Sequence, residues 1–109
     1  GERLELGIYL DGKLIGFLND VEKDENAIEL GFVIHPRFHG RGYATEALSA
    51  TIKYLFDIGY KQVIAGAFDH NIASIKVLQK CGMEPINRKE KITYRDNIYD
   101  CSYYSIFRK

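Results

Sequence analysis

The apolar run AIELGFVI, residues 27–34, meets Pro36, and from Tyr43 onward apolar residues recur at helical rather than alternating spacing. Between the two lies HPRFHGRGY, with Gly40 and Gly42 one residue apart and Arg37 and Arg41 beside them. A strand that must stop, a basic glycine-rich turn and a helix that starts at once constrain this chain more than any other feature. Proline lacks an amide donor and restricts the residue before it, so the strand cannot pass His35. Beyond the turn, Ala44, Ala47, Leu48, Thr51, Ile52 and Leu55 share one face of a helix running to about Ile58, with Gly59 as its stop.

The remaining segments fall into place around this junction. LELGIYL and LIGFL are short apolar-rich runs separated by Asp11-Gly12-Lys13, a hairpin signal. NDVEKDEN, residues 19–26, is charged and reads as a loop. QVIAGAF is a fourth strand, and NIASIKVLQKCG a second helix with Asn71 as N-cap and Gly82 just past its end. Ile75, Leu78, Ala73 and Val77 are its expected apolar face. KITYR and DCSYYSIF form a final antiparallel pair turning near Asp96-Asn97. The order is strand, strand, strand, helix, strand, helix, strand, strand. That is a mixed α/β fold, and the central strand–helix–strand unit is expected to be a parallel crossover.

The turn carries the chemistry. The first amides of a helix lack intrahelical acceptors and carry partial positive charge, so anions collect there. Glycines allow a concave nest of N–H groups. Here the backbone from Phe38 through His39, Gly40, Arg41, Gly42 and Tyr43 to Ala44 supplies such donors, and Arg37 and Arg41 can add forked hydrogen bonds. Each charge-assisted hydrogen bond is worth ~1.5–3 kcal/mol, so three or four would hold a pyrophosphate. No Gly-Lys-Ser/Thr follows, so this is not a Walker loop; Thr45 stands where the dinucleotide fingerprint needs a third glycine. A tight turn with solvated arginines is the plain alternative. Gly31 marks either a strand bulge or a ligand passing close to the backbone. A ligand along Phe32, Val33 and Ile34 with phosphates at the turn would be long and pantetheine-like.

At 109 residues the chain is read as a single domain, residues 1–109. Zero formal net charge argues against a nucleic-acid partner held by bulk charge. No leader is recognised, and no apolar run approaches the ~18 residues of a membrane helix. Cys81 and Cys101 lack framework spacing and are read as reduced thiols, which fits a cytoplasmic location. His35, His39 and His70 repeat no ligand spacing, so no metal is expected. Tyr94, Tyr99, Tyr103 and Tyr104 suit half-buried strands and a homodimer surface. The first residue is Gly1, which suggests a processed product or an excised fragment.

Taken together, RFHGRGYA, IELGFVIHPRFHGRGYATEAL and NIASIKVLQKCGM resemble the GCN5-related N-acetyltransferases, GNAT for short, and within them the ribosomal-protein N-terminal acetyltransferase branch. The likeness covers roughly residues 14–107 and is strongest over 28–83. It implies a mostly antiparallel mixed sheet with helices packed on it, acetyl-CoA as co-substrate, and an amine acceptor, either a protein N-terminus or a small molecule. It implies that the amides around Phe38, Gly40, Gly42 and Tyr43 bind pyrophosphate. Phe32, Val33 and Ile34 would pair with the pantetheine arm, an amide near Val33 would polarise the thioester carbonyl, and Asn71 would contact the pantetheine. Ser74 would lie near the sulfur as proton donor to the thiolate, and Glu29 would be the base, directly or through water. For Ser74 the plain alternative is a comfortable helix position, and for Glu29 an exposed strand carboxylate.

Two departures stand out. Many relatives carry a tyrosine acid seven residues after the asparagine, where this chain has Leu78. Relatives also usually begin with another strand and two helices that wall the acceptor site, whereas this chain opens at what looks like the second strand. Truncation, a naturally short protein and a wall supplied by a partner chain all fit. Two rivals to an enzyme follow: a noncatalytic CoA-binding or regulatory module with an incomplete acceptor site, and an interaction domain with no CoA site.

Overall fold

The computed structural model describes residues 4–109. The Gly1 start and its implication lie outside the described residues. In chain order the elements are β1 Glu5–Leu10, β2 Lys13–Lys23, β3 Ala27–Ile34, a 3-10 turn Pro36–Phe38, α1 Tyr43–Asp57, β4 Gln62–Phe68, α2 Ile72–Lys80, β5 Glu84–Tyr94 and β6 Asn97–Phe107. The six strands form one sheet in the order β1-β2-β3-β4-β6-β5. Among the described residues only β3 and β4, the pair joined through α1, are parallel; every other neighbouring pair is antiparallel. The mixed α/β architecture with one central crossover is therefore the expected one.

Local chemistry explains the boundaries. Asp11 and Gly12 both take positive φ, 50° and 79°, as a two-residue hairpin requires. Asn71 caps α2, its Oδ1 accepting from the Ser74 N–H at 3.1 Å, and Gly82 follows the helix at φ 84°. At the last hairpin the left-handed residues are Arg95 and Asp96, so the turn sits one residue earlier than expected and Asn97 already belongs to β6.

Two segments differ from the sequence expectation. The charged stretch 19–26 is not all loop, because β2 continues to Lys23. Asp20 is buried there: its carboxylate accepts from the Leu4 N–H at 3.1 Å and pairs with Lys23 Nζ at 2.9 Å. β2 also holds the bulge. Its register against β3 shifts between Asp20 and Glu22, whereas Gly31 sits in regular strand opposite Asn19. A Cβ on Gly31 would stand 3.3 Å from Asn19 Oδ1 and 3.4 Å from Val21 Cγ2, so the neighbouring strand's side chains use that space. Second, β5 starts at Glu84, well before KITYR, and carries a register shift between Pro85 and Lys89.

The core lies between one sheet face and the two helices. Leu18, Ile28, Leu30, Val63 and Ala65 of the sheet pack with Leu48, Ile52 and Leu55 of α1 and Leu78 of α2. The α1 face is the expected one, with Thr51 donating its hydroxyl to the Ala47 carbonyl at 2.8 Å so that its burial leaves no orphan. On α2, Leu78 is fully buried while Ala73 is exposed, a correction explained below by the groove it borders. Each fully buried leucine contributes about 1.5–3 kcal/mol. Leu78 stands where the resemblance would place a tyrosine acid, and its side chain belongs to this core.

The opposite sheet face is more open. Tyr9, Leu14, Phe17, Val21 and Val33 stay exposed. Toward β5 and β6 a polar network takes over. Arg88 Nη1 bonds Glu29 Oε1 at 2.8 Å and its Nη2 lies 3.2 Å from Glu90 Oε1. The guanidinium sits 3.9 Å from the Tyr103 ring centroid, and the Tyr103 hydroxyl donates to Glu90 Oε2 at 2.5 Å. Tyr103 and Tyr104 are buried within this chain, which corrects the expectation that they form a dimer surface. Burial, and then the bond to Glu90, pushes the Tyr103 hydroxyl pKa upward. The Tyr103 hydroxyl, followed by Arg88, holds the Glu90 carboxyl below its ordinary value of 4.5.

Two outcomes are expected. Leu78→Ala should cost ~2–5 kcal/mol of stability in a urea titration, since it removes a fully enclosed side chain. A carboxyl whose folded pKa is depressed adds stability above its unfolded pKa and loses it as pH falls through the folded value. Tyr103→Phe should therefore raise the Glu90 pKa toward the ordinary range. It should also flatten the fall in stability on acidification below about pH 5, as read by carboxyl-carbon NMR titration and by denaturant midpoints against pH.

Candidate functional site

The site begins where β3 and β4 part. They pair over four residues only, Ala27–Leu30 against Gln62–Ala65. Beyond Leu30 the β2 side of β3 stays paired, through Gly31–Ile34 against Asn19–Gly16. The β4 side of Gly31–Ile34 has no ladder partner, so a wedge opens between Phe32–Ile34 and Gly66–Phe68. Backbone donors and acceptors along such an edge can pair with an extended ligand as a strand would.

The strand then runs into the turn. Gly40 and Gly42 take φ of 75° and 82°, and open space surrounds a Cβ built on either. Conformation, not crowding, is what demands glycine there. Gly42 is the N-cap of α1 and no side chain caps that helix. The Glu46 N–H is the first to bond within it, to the Gly42 carbonyl at 2.9 Å. The amides of Tyr43, Ala44 and Thr45 precede that bond, in the position where helices hold anions.

Wedge and turn share one groove. A cavity of 320 Å³ runs between the N-terminus of α1 and one face of α2. Of the expected residues it is lined by Phe32 and Ile34 of β3, by Phe38, His39, Gly40 and Gly42 of the turn, by Tyr43 and Ala44 of α1, and by Ser74 of α2. An adjoining hollow of 440 Å³ fills the wedge and takes in Val33, Asn71 and Ser74. Phe32, Ile34, His39 and Ser74 border both, so the two hollows adjoin at these residues. His39 Nε2 lies 2.9 Å from the Ile34 carbonyl, where a protonated Nε2 donates, and this ties the turn to the strand end.

Three expected residues stand apart. Arg37 and Arg41 are exposed and border neither hollow. The Arg37 N–H donates to His35 Nδ1 at 3.2 Å, and the Arg41 guanidinium lies 5.9 Å from the Phe38 ring centroid. Glu29 is buried rather than an exposed strand carboxylate. It borders a separate hollow with Ile64 and Arg88, and Arg88 already engages one of its oxygens. Among the described residues no three His, Cys, Asp or Glu side chains gather to hold a metal ion, and no helix is long and apolar enough to cross a membrane.

Other residues border the groove that the sequence had not marked as site residues. Thr45, Lys76, Val77 and Lys80 line the part by the helices. Phe68, Ile92 and Cys101 line the wedge. Phe68 leads an aromatic group, its ring 5.7 Å from His70 and 5.4 Å from Tyr99. The helical spacing of Ala73, Lys76, Val77 and Lys80 was legible; that this face borders a ligand-sized groove depended on how α2 docks.

Known proteins share this fold. The acetyltransferase (GNAT) domain family matches residues 2–84, well over half of the chain. YnaD of Bacillus subtilis, an uncharacterized N-acetyltransferase, is 32% identical over 87 residues, covering 78% of this chain and 51% of its own length. FsC-acetyl coenzyme A-N(2)-transacetylase of Aspergillus fumigatus is 32% identical over 85 residues, covering 69% of this chain and 36% of its own. The crystal structure of a GNAT-family acetyltransferase from Bacillus anthracis superposes with a TM-score of 0.78 at 30% identity, over 89% of this chain and 60% of that one. The microcin C7 self-immunity acetyltransferase MccE, solved with acetyl-CoA and AMP, shares the fold at 22% identity with a TM-score of 0.86, over 97% of this chain and 61% of that one. The chain thus spans about half the length, or less, of the curated relatives it matches. A single parallel strand pair that parts early, an anion-ready turn at the next helix and the family match over residues 2–84 lead to one conclusion: this chain belongs to the GNAT acetyltransferase family.

Proposed function

We propose that this chain is the donor-binding core of an acetyl-CoA-dependent N-acetyltransferase that moves the acetyl group directly to an amine. The observation that carries this is a pair of adjoining hollows that bring together the unpaired edge of β3, the left-handed turn at Gly40 and Gly42, and Ser74. A long donor with an extended arm and a pyrophosphate matches that order of features. The arm lies along Phe32, Val33 and Ile34 beside Asn71, and the pyrophosphate meets the amides from Phe38 to Ala44. Arg37 and Arg41, exposed at the rim, contribute charge rather than a fixed fork.

The amine attacks the thioester carbonyl, the C–N bond forms, and charge develops on the carbonyl oxygen. A backbone amide near Val33 is the donor to that oxygen, a contribution of order 10²–10³ in rate where such donors have been removed elsewhere. Collapse breaks the C–S bond, and Ser74 passes a proton to the departing thiolate while taking one from water. The amine's proton leaves through water to Glu29, one oxygen of which Arg88 engages. The acceptor is a protein N-terminus or a small amine; the Thr45-Glu46-Ala47 and Asn71-to-Ser74 elements support the ribosomal-protein N-terminal acetyltransferase branch. Unpaired Cys81 and Cys101 support a reducing, cytoplasmic setting.

Calorimetric titration with acetyl-CoA tests the donor site. Binding in the roughly micromolar range is expected for the wild-type chain, lost in Gly42→Glu and partly kept in Gly42→Ala, which separates charge repulsion from backbone strain. A folded wild-type chain that does not bind would overturn the proposal. Steady-state acetylation of an amine panel tests turnover. Ser74→Ala should lower kcat by ~10² or more with little change in KM. Tight donor binding without turnover on any amine would favour the noncatalytic CoA-binding module instead.

A further inference from the structure

We infer that the acceptor amine of this site carries an aromatic ring close to its nitrogen, and that Phe68 and Ile92 select for that ring. This inference rests on the donor site proposed above and names the class of acceptor that the site takes. The ringed amine is either a small molecule or the first residue of a peptide.

The sheet dictates the approach. Leu48, Ile52 and Leu55 of α1 and Leu78 of α2 cover one face. With a donor in the groove between those helices, an acceptor reaches the wedge from the other face. Side chains alternate along a strand, and Val63, Ala65 and Ala67 point into the core. Phe68 therefore stands on the acceptor's face, at the end of β4. Ile92 of β5 pairs with Tyr99 of β6 and borders the same 440 Å³ hollow as Phe68. Val33 and Phe17, paired across β3 and β2, are exposed on that face at the far side of the wedge.

The lining suits a ring and not a second charge. Among the described residues no Asp, Glu, Lys or Arg borders the hollow. The carboxylates next to it in sequence are already engaged. Asp69 accepts from the Ser102 hydroxyl at 2.5 Å, while Glu90 accepts from Tyr103 and pairs with Arg88. A second ammonium group on the acceptor would lose its water there without gaining a countercharge. A ring finds apolar partners instead. Phe68 is held by His70, stacked at 5.7 Å, and by Tyr99 at 5.4 Å, and these two rings lie 5.0 Å apart. His70 and Tyr94 stay exposed, so burial in the core does not account for the group. A wall fixed beforehand loses little freedom when a further ring packs on it.

The test titrates amines into the chain saturated with CoA, so that no turnover intervenes, and follows binding by NMR chemical shifts. The ringed ligands are 2-phenylethylamine and the amide of phenylalanyl-alanyl-alanine, which share one amine-to-ring spacing. Ethylamine and the amide of glycyl-alanyl-alanine lack the ring, and 1,4-diaminobutane adds a charge. At least one ringed ligand should bind about tenfold or more tightly than its ringless counterpart and the diamine. Which of the two does so tells a small amine from a peptide N-terminus. Phe68→Ala should abolish the preference by weakening the ringed ligands alone, and Ile92→Glu should turn it toward the diamine. Far-UV circular dichroism checks that both variants are folded. No preference for a ring, a preference for the diamine in the wild type, or a ring preference that survives in folded Phe68→Ala overturns the aromatic acceptor and leaves the donor site standing. A folded wild type that does not bind CoA in calorimetry overturns both.

Discussion

Four backbone pairs between β3 and β4, and no more, are the constraint on which the rest of the site depends. Parallel pairing holds the two strands together from Ala27 to Leu30, and there it stops. Had the ladder continued through Ile34, every backbone group of Phe32 to Ile34 would be spoken for and no wedge would open. The parting is stable because β3 is anchored elsewhere. Its other edge is paired with β2 throughout, and Ile28, Leu30 and Ile34 remain buried beneath the helices. β4 is held in turn by seven pairs with β6. The open edge is thus an exposed strip on an otherwise rigid sheet, the kind of edge that proteins usually cover.

Much of this was legible in the sequence because the signals were local. Pro36 stops a strand whatever the fold does, and Gly40 and Gly42 announce left-handed backbone. The period of Ala44, Leu48, Thr51, Ile52 and Leu55 fixes both the helix and its buried face. What stayed hidden depended on partners far away in the chain. Residues 19–23 looked like loop because charge is rare in strands, yet Asp20 is tolerated inside through the Leu4 amide and Lys23. Glu29 read as an exposed carboxylate because nothing near it in sequence foretells Arg88, fifty-nine residues on. Ala73 looked like core because helical spacing cannot tell a face buried by the sheet from one that borders a groove.

The Glu29–Arg88 bond changes how the sheet's second face is understood. Arg88 belongs to β5 and Glu29 to β3, with β4 and β6 between them in the sheet. The bond therefore crosses two strands, over the Ile64 position and beside the Tyr103 ring. A carboxylate held this way has one oxygen already committed to the guanidinium. Glu90 and Tyr103 hold that guanidinium from its other side. Glu29 is thereby tied to a network on β5 and β6.

The open surroundings of Gly40 and Gly42 bear on which sequences could replace them over time. A glycine wedged against a neighbour tolerates nothing larger, but here no neighbour stands within 4 Å of either Cβ position. The barrier to change is the sign of φ alone, and asparagine and aspartate cross it more easily than other residues. Aspartate would set a negative charge beside the unpaired amides at the start of α1, where the proposed site takes phosphate. Asparagine is then the one side chain through which this turn can drift while keeping both its shape and its polarity.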